Sequence, residues 1–498
     1  MLRGLFTRSA EARAAAALKE LKLGCQRLLS DAGTSNGEAV AAEVIRLWGE
    51  LDGAARVAFF EYLDSLAPDK ERVLSAASAY TAESSRENLL ELQKAVYPPR
   101  RVLLERLNRS SGGVAAVVAM RRALVGVLRE RSELRTVDAD FSHLLSSWFN
   151  PGFLDLRQVD WSSPAELLEK IIRYEAVHAI RDWSDLRRRL GSDRRCFAFF
   201  HPQLPEEPLI FVEVALVGML PRSIAHLIEE RRAVPRVGKP PTVAAFYSIS
   251  NCEPGLKGVS LGNFLIKRVA EKLRSEAPSL KRFCTLSPIP GLRKWLASAQ
   301  DAEVAEAMRA RHGEDLGRLD AAIRAGTLER EDQALLEACA ATYLTRHGAT
   351  PTGDPVARFH LDNGARLERI NVGADVSDKG LAESLGVMVN YLYDLAAVED
   401  DTVRRGQAGN VDDIVASAAQ NRDRRGGESG AGEIAGYDDR VGTCPGVDDE
   451  LFDVLGDDLV GDGLHHFRAG DEHVTAVLHH EDEVGHRRGI DRPARARA

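Results

Sequence analysis

The sequence predicts an α+β protein of several domains: an all-α helical bundle, then a region mixing strands and helices, then a disordered acidic tail. Three observations carry that expectation. Apolar residues recur at helical spacing through residues 1–150. Short β-branched and apolar runs alternate with helical patterns through 151–395. From 396 to 498 neither period persists. A chain of 498 residues is also too long for one ordinary core and implies two or three domains.

The helical region opens with Ser35 and Glu38 in capping-box spacing, followed by Val40, Val44, Leu47, Trp48 and Leu51 on one helical face. Residues 86–96 carry Leu89, Leu90, Leu92 and Val96 and stop before Pro98-Pro99, where proline forbids continuation. The pattern resumes over 102–107, breaks at Gly112-Gly113 and runs again over 114–134. No nucleophile is paired with a base here, so a packing or oligomerisation domain is expected for 1–150. After Asn150-Pro-Gly152, strands are expected at 196–200, 209–217, 243–250, 282–286, 356–361 and 367–372, with helices at 223–232, 261–277 and 332–346. The strands at 356–361 and 367–372 would be joined as a hairpin by Asp362-Asn-Gly364, because Asn-Gly is the strongest short hairpin signal.

The tail from Ala396 holds 23 acidic residues against 12 arginines and no lysine, whereas the preceding chain is nearly neutral. Nucleic-acid binding through net charge is thereby excluded. Six of the thirteen histidines fall in this tail, but His-His pairs without a fold are weak metal ligands, so disorder is the expectation. A shifted reading frame after Leu395 is the alternative explanation for so abrupt a change of residue alphabet. Six scattered cysteines without a CxxC pair argue against a disulfide framework or zinc site and for a reducing compartment. The first residues lack a sustained apolar run, and no stretch approaches the about 18 apolar residues of a membrane span. Cytoplasm is the expected location, with no membrane and no metal.

Three places could carry chemistry. Gly255-Leu-Lys-Gly-Val-Ser-Leu-Gly262 lies between a strand and a helix, where backbone N–H groups can approach an anion and Lys257 adds a cation. It is neither a P-loop nor G-x-G-x-x-G; a plain glycine turn is the alternative, and a pyrophosphate such as that of coenzyme A is the ligand that fits best. Ser287 follows a strand in Leu286-Ser-Pro-Ile-Pro-Gly291, where two prolines would present its hydroxyl rigidly unless it merely caps the next helix. His360 would face away from Phe359 and Leu361 on its strand, with an ordinary pKa near 6.5 suited to general acid work.

Taken together and in order, these segments resemble the malonyl-CoA decarboxylase family. The likeness rests on Phe246-Tyr-Ser-Ile-Ser250, the glycine segment with Phe264-Leu-Ile-Lys-Arg-Val269, Leu286-Ser-Pro-Ile-Pro-Gly291 with Lys294-Trp295, and Phe359-His-Leu-Asp-Asn-Gly-Ala365 with Arg369-Ile-Asn371. Ala374-Asp-Val-Ser377, Asn390-Tyr-Leu-Tyr393, Trp148-Phe-Asn150, Gly152-Phe-Leu154 and Arg194-Arg-Cys196 extend it over most of residues 1–395. The resemblance implies an acetyltransferase-like (GNAT-type) catalytic domain over 151–395 and an oligomerising helical domain forming a dimer or tetramer. It implies that Lys257, Gly258, Val259, Ser260, Leu261, Gly262 and Asn263 bind the CoA moiety. It also implies Ser287 as proton acceptor and His360 as proton donor, with no cofactor. The chain departs from the family pattern at Ser260, where that pattern is acidic, and at Val372-Gly373, which stand in place of a Trp-containing pair. The expected reaction is decarboxylation of malonyl-CoA to acetyl-CoA and CO₂ through an enolate. An acyl-CoA-dependent acyltransferase and a non-enzymatic acyl-CoA-binding protein are the alternatives.

Overall fold

Residues 2–149 fold as successive helices. They are α1 (Leu2–Leu29), α2 (Gly37–Gly49), α3 (Gly53–Ser65), α4 (Lys70–Ala82), α5 (Arg86–Val96), α6 (Pro99–Asn108), α7 (Gly113–Val125) and α8 (Arg135–Trp148) in the computed structural model. That structure describes residues 2–393 except 31–35, 230–239, 260, 262–264, 300–302, 314–315 and 348–352. The expected tail from 396 to 498, with its histidines, lies outside the described residues. Side-chain caps mark the starts of several helices: Asp52, Asp69 and Ser85 accept from the amides of Ala55, Arg72 and Asn88. Pro99 sits at the first turn of α6, where its missing N–H costs nothing. Leu103, Leu104 and Leu107 of α6, Val117 and Met120 of α7, and Phe141 of α8 are buried together with Phe59 and Phe60 of α3.

The second region is a mixed sheet flanked by helices. Its strands are β1 (Asp155–Val159), β2 (Arg194–Phe200), β3 (Ile210–Val217), β4 (Val243–Asn251), β5 (Arg282–Thr285), the two-residue β6 (Ser287–Pro288), β7 (Ala365–Asn371) and β8 (Met388–Tyr393). Helices α9 (Ala165–Tyr174), α10 (Trp183–Arg189), α11 (Ala225–Ile228), α12 (Leu265–Glu276), α13 (Leu292–Ser298), α14 (Glu303–His312), α15 (Gly317–Ala325), α16 (Arg330–His347), α17 (Pro355–Asp362) and α18 (Asp378–Ser384) lie between them. The sheet runs β1-β2-β3-β4-β5-β8-β6, and β7 also pairs with β8. Among the described residues β4 and β5 form the one parallel pair; the other pairs are antiparallel.

Two irregularities shape the sheet. The parallel pairing stops at Phe246↔Thr285 while β4 continues to Asn251, so β4 and the chain after β5 separate at their carboxyl ends. The β3–β4 register shifts between Glu213 and Val214, which pair with Ser248 and Phe246 and leave Tyr247 as the extra residue of a bulge. Phe197, Phe199, Val212, Phe246 and Phe283 from one face join the same apolar cluster as the helices of residues 1–149. Two smaller clusters, built around Phe200 with Phe211 and around Tyr247 with Met388, cover the other face.

One sequence expectation is overturned. Residues 356–361 are not a strand of a hairpin but part of helix α17. Asp354 caps it by accepting from the amides of Val356 and Ala357, and Pro355 occupies its first turn. Gly364 ends it at φ +76°, the left-handed conformation glycine adopts without a Cβ clash. The Asn-Gly dipeptide is therefore a helix stop leading into β7, and the start signals at Asp354-Pro355 outweigh the period-2 alternation. Within the helix expected at 223–232 the described residues form only α11. Of that expected from Leu261, Leu261 itself is not helical and Leu265–Glu276 form α12, with 262–264 outside the described residues.

Candidate active site

Ser287 and His360 are brought together by two routes through the chain. Ser287 stands just beyond β5, where β5 and β6 continue along one edge of β8 in the same register. Its neighbours Pro288 and Pro290 restrict the backbone that presents it. Helix α13 starts at Gly291 without a side-chain cap, so Ser287 is not the capping residue. His360 projects from the second turn of α17, which runs directly into β7 on the other edge of β8. Ser287 Oγ and His360 Nε2 are hydrogen-bonded at 2.9 Å, 73 residues apart in sequence.

Both ring nitrogens of His360 are engaged, because Nδ1 lies 2.8 Å from the Tyr393 hydroxyl. Tyr391, two residues earlier on β8 and so on the same face, stacks on the imidazole with ring centroids 4.6 Å apart. The Ser287 hydroxyl donates to Thr285 Oγ1 at 3.0 Å, and that oxygen also accepts from the Tyr391 amide at 3.4 Å. With the Ser287 proton on Thr285, Nε2–H donates to Ser287 and Nδ1 accepts from Tyr393. The opposite tautomer reverses this chain. On the reverse face of β8, Asn390 Nδ2 donates to the carbonyl of Thr285 at 2.9 Å. Its Oδ1 accepts from Arg369 and Asn371, which fixes the β5–β8–β7 junction.

Electrostatics alters the role expected of the histidine. His360 is only 3% exposed, no charged partner among the described residues offsets its desolvation, and burial pushes its pKa down to about 3. The ring is therefore neutral at physiological pH, and the expected imidazolium with an ordinary pKa is absent. Burial likewise raises the Tyr393 phenol, which keeps its proton. Sequence reading missed Tyr391, Tyr393 and Thr285 as members of the site. Tyrosines two apart on one strand, next to a Ser-after-strand motif, were the available signal.

The glycine segment leaves the sheet at the same end as Ser287, since β4 and β5 are parallel and each continues from its carboxyl end. Lys257 and Gly258 are half-buried, and Gly258 has φ +76°. Val259 and Leu261 are buried in the main core, so what they can offer a ligand is backbone. Ser260, Gly262 and Asn263 lie outside the described residues. Gly255 serves another purpose: a Cβ there would stand 2.3 Å from the Val118 carbonyl oxygen of α7. Arg121 of α7 donates to the Gly255 carbonyl at 3.1 Å, and Arg122 pairs with Glu253. This glycine is a close-packing contact with the helical region. Among the described residues, no group of three or more His, Cys, Asp or Glu is placed to hold a metal ion.

A buried serine–imidazole–phenol chain, at the end of a mixed sheet where a parallel strand pair splits, is an arrangement able to pass a proton and marks a candidate enzyme site. Comparison with known proteins narrows the class. Residues 66–149 match the malonyl-CoA decarboxylase N-terminal domain model and residues 152–429 the malonyl-CoA decarboxylase C-terminal domain model. The chain belongs to the malonyl-CoA decarboxylase family. It is 36% identical to the mitochondrial malonyl-CoA decarboxylase of Anser anser anser, over 72% of this chain and 78% of that protein. It is 37% identical to that of Rattus norvegicus, over 72% and 80%. The crystal structure of malonyl-CoA decarboxylase from Rhodopseudomonas palustris is similar at 41% identity and a TM-score of 0.67, covering 79% of this chain and 98% of that one. The structure from Agrobacterium vitis is similar at 40% identity and the same TM-score, covering 79% and 99%. The match to the C-terminal model runs past residue 395, where the sequence likeness was expected to stop.

Proposed function

We propose that Ser287 and His360 are the pair with which this chain decarboxylates malonyl-CoA to acetyl-CoA and CO₂. The 2.9 Å bond between Ser287 Oγ and His360 Nε2, buried on both sides, is the observation that carries the reading. Breaking the bond to the carboxylate leaves an electron pair on the thioester as an enolate, which needs hydrogen-bond donors at its oxygen and then a proton at the α-carbon. A neutral imidazole suffices for that proton, because a thioester α-carbanion is a stronger base than imidazolate. Nε2 points at Ser287, so the proton passes from Nε2 through the Ser287 hydroxyl to carbon, while Tyr393 stabilises the charge left on the ring through Nδ1. No acyl-enzyme is needed. Lys257, Gly258, Val259, Ser260, Leu261, Gly262 and Asn263 bind the CoA moiety, supported by the shared strand end with Ser287.

We assign residues 1–150 to self-association as a dimer or tetramer. Helix α4 buries no side chain and α5 only Ala95, while Leu74, Leu90 and Val96 are 57%, 54% and 46% exposed. The cytoplasm is the compartment we propose, supported by Cys25, Cys196, Cys252, Cys284 and Cys339 being free and buried; the relatives named above carry a mitochondrial label. Among the described residues no helix is long and apolar enough to cross a membrane.

The decisive experiment follows CO₂ and acetyl-CoA from malonyl-CoA with purified protein, EDTA and no acyl acceptor. Stoichiometric release is expected. His360→Ala and Ser287→Ala are expected to lower kcat by about 100-fold or more with little change in KM. Tight binding without release would instead favour the acyltransferase or binding-protein alternative.

A further inference from the structure

Asp354 is an interior carboxylate that the proposed chemistry does not use. It is 1% exposed, and its two oxygens do different work. Oδ1 accepts from the amides of Val356 and Ala357 at 3.0 and 2.9 Å, which starts the helix bearing His360. Oδ2 faces the Gly291 amide and the Tyr343 hydroxyl of α16, each at 3.4 Å. Gly291 closes the Pro-Ile-Pro segment that leaves Ser287, and it packs hard against this group: a Cβ there would lie 1.9 Å from Tyr343 Oη. The Tyr343 ring in turn rests on Trp295 of α13, with centroids 5.5 Å apart.

We propose that Asp354 is a positioning residue for the decarboxylation, clasping the helix that carries His360 to the turn that leaves Ser287 so that Nε2 stays on Oγ. This rests on the reading of Ser287 and His360 as the reacting pair. Capping alone does not explain the residue. Serine, threonine or asparagine would cap α17 about as well without a buried carboxylate, and desolvation here is large enough to push the Asp354 carboxyl up to about 6. The second oxygen is what those residues lack in this geometry. It reaches across to two other segments, both fixed to the walls of the site.

Asp354→Asn separates the two jobs. The amide oxygen keeps the cap, while the amide nitrogen cannot accept from Gly291 or Tyr343. The expected result is a protein still fully folded at the assay temperature, kcat lowered about tenfold or more, and KM for malonyl-CoA within about twofold of wild type. Tyr343→Phe, which leaves carboxylate and cap intact, should lower kcat in the same direction. The double variant should then fall short of the product of the two effects, because they cut one clasp. Wild-type kcat in Asp354→Asn would overturn the proposal. So would a loss of kcat in both variants that only tracks the fraction unfolded. His360→Ala measured alongside separates the premises: if it keeps wild-type kcat, the Ser287–His360 reading falls and this inference with it. If it is inactive while Asp354→Asn is normal, only the clasp is refuted.

Discussion

At the scale of single residues, desolvation rather than a charged neighbour sets the state of His360 in the proposed site. Among the described residues no carboxylate pairs with His360; a phenol, a hydroxyl and the face of Tyr391 contact it. Tyr393→Phe would leave Nδ1 buried without a partner, a loss of about 1–3 kcal/mol in which the ring orientation is also released. We expect kcat to fall about 10- to 100-fold with KM nearly unchanged, read by steady-state kinetics on malonyl-CoA. The same burial has a stability consequence. The folded pKa of about 3 lies below the ordinary 6.5, so the unfolded chain binds a proton first as pH falls. His360 therefore contributes stability that is present above about pH 6.5 and is lost progressively toward pH 3. Urea unfolding of His360→Gln should show a shallower loss between pH 6.5 and 4 than wild type; parallel curves would contradict a buried neutral histidine.

At the scale of elements, α17 is the decisive piece. Its start was legible in Asp354-Pro355 and its stop in Asn363-Gly364, yet alternation over 356–361 pointed to a strand. The structure resolves this in favour of the end signals, which act locally and need no partner strand. Gly364→Ala should destabilise the fold by about 1 kcal/mol, since φ +76° places a Cβ against the following carbonyl. A midpoint shift in urea with unchanged m would verify it. The strands β2 to β5 fall close to where composition placed them, because each is a run of apolar or β-branched residues between turn residues. β1, β6 and β8 were missed: β1 is mostly polar and exposed and β6 is two residues long, whereas β8 carries the same apolar and aromatic run after a glycine as its neighbours and was readable locally.

At the scale of the whole molecule, the helical region and the sheet share one continuous apolar core, stitched where α7 meets the turn after β4. The face that faces away from that core is the hairpin of α4 and α5. Leu90→Asp should weaken self-association, seen as a smaller species in sedimentation equilibrium, while kcat on malonyl-CoA stays at the wild-type value. An unchanged oligomer would move the interface elsewhere.

The chain's order of helices and strands, the serine after β5, the histidine before Asn-Gly and the glycine segment after β4 are all local features, and short-range sterics and hydrogen bonding write them into neighbouring residues. What only the tertiary structure decided is which of them meet and in what state. The 2.9 Å approach of Ser287 and His360 depends on β8 pairing with β5, β6 and β7 at once. Tyr393 enters the site through that register, Asp354 through the packing of α16 and α17, and the neutrality of His360 through the exclusion of water around it. Desolvation and long-range closure belong to the surroundings a residue acquires on folding, and no stretch of sequence carries them alone.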